Sequence, residues 1–342
     1  MSESTPLRLV DSHGRVATDL RISLTDRCNL RCTYCMPAEG LPWLPKDELL
    51  ADEELVRLAG IGVEHLGIRT IRLTGGEPLL RPDLEALVAK LATLRVPAGG
   101  APGLALTTNG IGLADRAQAL ASAGLNRINI SLDTLSPETF KELARRDRLA
   151  DVLAGIDAAL AAGLSPVKVN TVLMRGINHH EAPDLVAWAG EKGVQLRFIE
   201  QMPLDAQHGW RRSEMVTADE IHAMLSDRFE LVEDPVDRAA RGAAPAELFR
   251  VGSTPQRVGI IAAVTRPFCG ACDRVRLTSD GQLRTCLFSR VESDLRGPLR
   301  EGMGDREIAE RWVVAVQGKL PGHGIDDPSF LQPDRPMSAI GG

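Results

Sequence analysis

The chain has 342 residues, of which 44% are hydrophobic and 25% charged; these are globular values that leave room for one large domain plus an appended piece and exclude a disordered or membrane-spanning chain. The net charge of −6 argues against a general role on nucleic acid or a membrane surface, so neither is expected as a partner. The first twenty residues are charged at Glu3, Arg8, Asp11, Arg15 and Asp19 and lack the apolar stretch of a secretory signal, so a cytoplasmic location is expected.

From residue 19 to 200, short β-rich runs alternate with stretches of helical period. The predicted strands are Asp19–Thr25, Thr70–Gly75, Leu104–Thr108, Arg127–Leu132, Val167–Leu173 and Gln195–Glu200, and the helices lie near 51–66, 83–94, 113–123, 148–162 and 181–192. Six strand–helix units in this length predict an open, partial (βα)6 TIM-like barrel over 1–200; a doubly wound sheet is the alternative. Both architectures put functional loops at the carboxyl ends of the strands. Beyond 201 the alternation stops, and a C-terminal α+β extension is expected over 201–342. Its parts are a helix near 217–228, a surface loop over Asp234–Ala246, strands at Val258–Val264 and Arg274–Thr278, a turn at Ser279-Asp280-Gly281 into Gln282–Leu287, and helices near 292–301 and 305–317.

All six cysteines fall in two triads more than two hundred residues apart. In a reducing compartment disulfides are rare, so metal or cluster chemistry is the natural use. Cys28, Cys32 and Cys35 follow the first strand. Three thiolates cannot close a structural zinc site, which would need a distant His13 or His65, but they suit a [4Fe–4S] cube with one open iron. This CxxxCxxC, with Tyr34 just before its last cysteine, resembles the radical S-adenosylmethionine superfamily. The resemblance implies that the open iron binds S-adenosylmethionine and that its reductive cleavage yields a 5′-deoxyadenosyl radical. It further implies that the Gly75-Gly76-Glu77-Pro78 stretch, with Gly76, binds the methionine amino group, that Ser131 supports its carboxylate and ribose, and that Met202 meets the adenine. Without that context, Gly-Gly-Glu-Pro would be a tight turn, Ser131-Leu132-Asp133 a helix cap and Met202 core packing.

Cys269, Cys272 and Cys286 repeat the pattern, with one Cys-x-x-Cys pair and a third cysteine across a hairpin; a zinc knuckle normally brings two pairs. Together with Asp273-Arg274-Val275-Arg276, Val167-Lys168-Val169-Asn170, Arg197-Phe198-Ile199-Glu200 and a Gly341-Gly342 ending, this arrangement resembles the GTP 3′,8-cyclase family of molybdenum cofactor biosynthesis over nearly the whole chain. That family resemblance implies two [4Fe–4S] clusters, S-adenosylmethionine and GTP. The GTP contacts would come from Arg21, Arg72, Thr107, Lys168, Arg197, Arg274, Val275 and Arg276, and the tail glycines would assist the chemistry. It also implies a low-potential electron donor, unidentified from sequence, and a homodimer. Where many members carry Lys two residues before the second-strand arginine, this chain has Thr70, which leaves one phosphate contact without its residue; Arg69 should face the other way.

The physical case agrees. A triphosphate of about four negative charges needs converging cations, preferably arginines, and an inward arginine on a barrel strand is costly unless it meets an anion. Two other functions stay open on the sequence: a peptide-modifying radical enzyme with an auxiliary cluster, and a zinc-binding or electron-carrier protein without a substrate.

Overall fold

The computed structural model describes residues 7–233 and 235–341. The first strands and helices alternate as β1 (Asp19–Ser23), α1 (Asp52–Gly60), β2 (Thr70–Thr74), α2 (Leu84–Ala92), β3 (Gly103–Thr108), α3 (Ala117–Ser122) and β4 (Arg127–Ser131). They continue with α4 (Pro137–Ala144), α5 (Leu149–Ala161), β5 (Val167–Val172), α6 (Ala182–Lys192) and β6 (Gln195–Ile199). The six strands pair in parallel in chain order, which makes the partial barrel.

The later segment does not form a separate layer. It contributes α7 (Ala218–Ser226), β7 (Leu231–Glu233), α8 (Pro235–Ala240), β8 (Glu247–Val251) and β9 (Arg257–Ile261), then β10 (Arg274–Leu277), β11 (Gln282–Arg284), β12 (Ser293–Asp294), α9 (Arg296–Arg300), α10 (Asp305–Gln317) and α11 (Met337–Ile340). Strand β9 joins β6 in parallel and β10 joins β1 in parallel, so the order is β12-β11-β10-β1-β2-β3-β4-β5-β6-β9-β8-β7. Both edges of the barrel sheet are therefore extended by the same stretch of chain. Arg274 on one edge donates to the Ala243 carbonyl beside the other, bridging the opening.

Strand alternation explains why this barrel has a site inside it. Successive side chains point to opposite faces. The outward set, including Leu20, Ile22, Ile71, Leu73, Leu106, Ile128, Ile130, Val169, Leu196 and Phe198, is fully buried under the helices in one core. Burying each such side chain contributes about 1.5–3 kcal/mol. The inward set reads Arg21, Arg72, Thr107, Asn129, Lys168, Asn170 and Arg197. A barrel interior is ordinarily filled with Val, Ile and Leu; here it is polar and cationic, so hydrophobic packing cannot be its purpose.

Two differences from the sequence expectation bear on the site. Helix α4 was not anticipated; Ser136 caps it, accepting from Thr139 N–H at 3.2 Å, with Pro137 in its first turn. Its last carbonyls, Leu143 and Ala144, accept from Thr33 and Arg31 N–H at 2.9 and 3.0 Å and so clamp the first cysteine loop. The expected surface loop 234–246 contains α8, and Ala243, Ala244 and Pro245 turn inward to cover the barrel mouth. Among the described residues, no helix is long and apolar enough to cross a membrane.

Candidate active site

Two adjoining cavities lie within the barrel, the smaller at the carboxyl ends of the strands and the larger reaching down to Asp19, Thr70 and Arg127, the first residues of β1, β2 and β4. The smaller, about 160 Å³, is lined by Cys28, Cys32, Cys35, Tyr34, Gly76, Ser131 and Asp133. The larger, about 440 Å³, holds Arg21, Arg72, Lys168, Arg197, Arg274, Arg276 and the second cysteine triad. Thr107 and Met337 line both, so the two spaces share a wall.

The small cavity is built by close backbone approach. Gly76 N–H donates to the Thr25 carbonyl and Glu77 N–H to the Arg27 carbonyl, both at 2.7 Å. A Cβ on Gly76 would lie 2.2 Å from the Arg27 carbonyl oxygen, and one on Gly75, at φ +145°, would lie 2.4 Å from that of Thr25. The glycines thus let the end of β2 seat the loop that carries the cysteines. Buried Glu77 then ties β2 to β3, accepting from Thr108 Oγ1, Asn109 N–H and Leu79 N–H at 2.7, 2.7 and 2.8 Å; burial pushes its carboxyl up to about 7. Tyr34 donates to Asp133 Oδ2 at 2.7 Å, and Val172 N–H donates to Asp133 Oδ1 at 2.8 Å. Burial lifts Asp133 to about 6 against those hydrogen bonds.

Burial also pushes the thiols of Cys28 and Cys35 up to about 11 and 12, and that of Cys32 well above the usual range. The second triad behaves differently. Burial raises Cys269, but at Cys272 the effect of burial is outweighed by Lys319 and Arg274, which leave that thiol below its ordinary value.

Seven cations line the large cavity, Arg127 joining the six expected, against the two carboxylates of Asp19 and Asp273. Arg276, Arg21 and Arg72 stand in one row across three adjacent strands. Burial, then Arg21, pushes Arg276 down to about 9; burial, then the neighbouring arginines Arg197, Arg127 and Arg72, pushes Lys168 down to about 7. Nε of Arg21, Arg72, Arg197, Arg274 and Arg276, together with Arg72 Nη1 and Thr107 Oγ1, is buried without a hydrogen-bond partner. Two acceptors in the same lining, Asp19 Oδ1 and Asn170 Oδ1, are also orphaned, but donors predominate, and converging unpartnered guanidinium N–H groups are what an anion site requires.

Val275 is the exception among the expected contacts: strand alternation turns its side chain away from its two neighbours, fully buried in the core. Met202 lines the larger cavity rather than the smaller. Gly341 is buried against the ends of β1 and β2, where a Cβ would sit 2.5 Å from Thr74 Cγ2 and 3.5 Å from Ser23 Cβ. Gly342 lies outside the described residues. Arg69 is exposed, as alternation requires. Arg127, Asn129 and Asn170 were missed by the sequence reading, although each falls on the inward phase of its strand and could have been found by extending the alternation to β4 and β5.

Comparison with known proteins agrees with this geometry. Residues 22–189 match the radical SAM superfamily model and residues 194–325 the Molybdenum Cofactor Synthesis C model. The GTP 3′,8-cyclase of Streptomyces coelicolor is 62% identical over 334 residues, covering 98% of this chain and 96% of that protein. The chain belongs to the GTP 3′,8-cyclase family. The Corynebacterium glutamicum member is 58% identical, covering 98% of this chain and 89% of its own length, and that of Paenarthrobacter nicotinovorans is 55% identical, at 98% and 97%. In fold the chain is similar to Streptococcus suis SuiB bound to S-adenosylmethionine, with TM-score 0.61 and 13% identity over 91% of this chain and 68% of that one. It is also similar to anSMEcpe with bound AdoMet, with TM-score 0.57 and 16% identity over 90% and 82%.

The family's cofactors are two [4Fe–4S] clusters and S-adenosylmethionine. The residues fit them. Each triad presents three cysteines partly open to a cavity. The histidines that zinc would need are unsuitable: His13 and His65 are exposed. His323 beside the second triad has both ring nitrogens occupied, with Ile325 N–H at 3.1 Å and the Ala263 carbonyl at 3.0 Å.

Proposed function

We propose that this chain converts GTP into 3′,8-cyclo-GTP, the first step of molybdenum cofactor biosynthesis. The observation that carries the reading is the seven-cation cavity with orphaned N–H groups, which shares Thr107 and Met337 with the cavity of the first triad. The five excess positive charges match about four on a triphosphate.

Cys28, Cys32 and Cys35 would hold the first cluster, which would supply the electron for reductive cleavage of S-adenosylmethionine to the 5′-deoxyadenosyl radical. The backbone at Gly76, the Ser131 hydroxyl and the Tyr34–Asp133 pair orient that substrate. Arg21, Arg72, Lys168, Arg197, Arg274 and Arg276 hold the triphosphate, and Thr107 stands at the shared wall where C3′ must face the radical. Cys269, Cys272 and Cys286 would hold the second cluster in the lining of the same cavity, where it would supply an open iron to the substrate. The tail lines the small cavity through Met337 and Ser338, and Gly341 packs against Ser23 and Thr74, which places the chain terminus beside the space where the radical would form. The enzyme is expected to act in the cytoplasm as a homodimer served by a low-potential electron donor.

Anaerobic reconstitution followed by reductant, S-adenosylmethionine and either GTP or ATP tests this. GTP should give 5′-deoxyadenosine and a cyclised product in equal amounts, and ATP no cyclised product. Iron near four per chain rather than about eight would remove the second cluster from the account. Deoxyadenosine formed in response to a peptide but not GTP would support the peptide-modifying alternative.

A further inference from the structure

Lys319 follows α10 and is 4% exposed. A buried ammonium ordinarily has a carboxylate beside it, because the cost of removing a charge from water must be offset. Lys319 has none within ion-pair distance among the described residues. Its Nζ donates instead to the Arg274 carbonyl at 2.9 Å, the Cys272 carbonyl at 3.3 Å and Cys272 Sγ at 3.4 Å. Those three bonds use all three of its N–H groups. The only acceptor among them that can carry a full negative charge is the sulfur.

The chain also fixes this lysine from outside. Arg15, paired with Asp11 at 2.6 Å, donates to the carbonyls of Leu320 at 2.6 Å and Pro321 at 2.8 Å, and to that of Cys269 at 2.8 Å. One guanidinium thus locks the segment after Lys319 onto the loop holding two of the three cysteines. Among the described residues no lysine or arginine side chain donates to a sulfur of the first triad: the side-chain donors there are neutral, the Asn109 amide 4.0 Å from Cys28 Sγ and the Tyr34 hydroxyl beside Cys32.

We propose that Lys319 is the fixed counter-cation of the Cys272 thiolate, a positioning residue that makes the reduction potential of the second cluster more positive. The physical basis is general. Reduction adds negative charge, which a nearby buried cation stabilises, and N–H···S bonds draw electron density from the ligand sulfur. The inference rests on the assignment of Cys269, Cys272 and Cys286 to a second cluster, which iron content tests separately.

The experiment is an EPR-monitored redox titration of reconstituted holoenzyme with S-adenosylmethionine present, which alters the signal of the first cluster and so separates the two. In Lys319→Met the second cluster should move to a more negative potential while the first stays at its wild-type value, and Lys319→Arg should recover most of the shift. An unchanged second potential in Lys319→Met with full iron, or an equal shift of both clusters, overturns the proposal. Loss of only the second cluster's iron from a normally folded Lys319→Met supports it, since the thiolate has lost its partner. If that variant does not fold, Lys319→Gln, which keeps a neutral donor, decides: a more negative potential supports the proposal and a wild-type potential overturns it. Wild-type protein with about four irons would instead defeat the cluster assignment itself.

Discussion

The two cysteine triads are built on opposite electrostatic plans. The first sits in one loop of eight residues after β1, seated by backbone hydrogen bonds and the glycines that follow β2, with burial pushing all three thiols above their ordinary range. The second is spread from the loop before β10 to the segment after β11, on the rim of seven cations, and its Cys272 lies under Lys319 and Arg274. The cavity of the first triad has no cation in its lining and one carboxylate, Asp133. The other concentrates positive charge, as a polyanionic substrate needs. Two sites of identical ligand count are thus told apart by their surroundings.

The strongest way to break that contrast is to disable each triad. Cys32→Ser should cut deoxyadenosine formation by more than about 100-fold while GTP binding persists; GTP binding lost to the same degree would merge the two sites. Gly341→Ala comes next, because its Cβ would lie 2.5 Å from Thr74 Cγ2 at φ +75°. Turnover should fall roughly 10- to 100-fold with iron content unchanged, and normal turnover would free the tail from any role. Arg127→Ala should weaken GTP binding by roughly three- to tenfold, since this guanidinium is only half-buried. No change in calorimetric affinity would leave Arg127 a bystander.

Lys168 sharpens the contrast through pH. Its pKa is depressed to about 7 in the empty cavity, so below that pH the lysine is already charged and GTP binding needs no extra proton. Above it, each binding event must take up a proton. The apparent affinity should then fall by up to about tenfold per pH unit, with calorimetry in buffers of different ionisation heat showing uptake; binding without uptake on the alkaline side would contradict the assignment.

Much of this was legible in the sequence because period and spacing are local properties. All six barrel strands lie where the alternation put them, and the Ser279-Asp280-Gly281 turn follows from Gly281, whose φ is +79°. The joining of β9 and β10 to opposite edges of one sheet was not legible, since partners as distant in sequence as Leu196 and Val258, or Asp19 and Arg274, leave no period. Helix α4 was missed although Ser136-Pro137 is a start signal, because it is short and follows directly on a strand. The Lys319 contact was beyond reach for the same reason as the sheet edges: nothing in the sequence near 319 refers to Cys272. Val275 shows the reverse case, in which a contiguous motif was taken whole while the pleat of the strand divides it.

The division of labour between the cavities is tested most directly by measuring GTP and S-adenosylmethionine affinities on the same preparation of Arg276→Ala holoenzyme. Arg276 is 5% exposed, lines only the larger cavity and has an unpartnered Nε. Loss of its charge-assisted hydrogen bonds should cost about 1.5–3 kcal/mol, weakening GTP roughly 10- to 100-fold, with S-adenosylmethionine affinity unchanged. Equal weakening of both ligands would contradict two cavities with separate tasks.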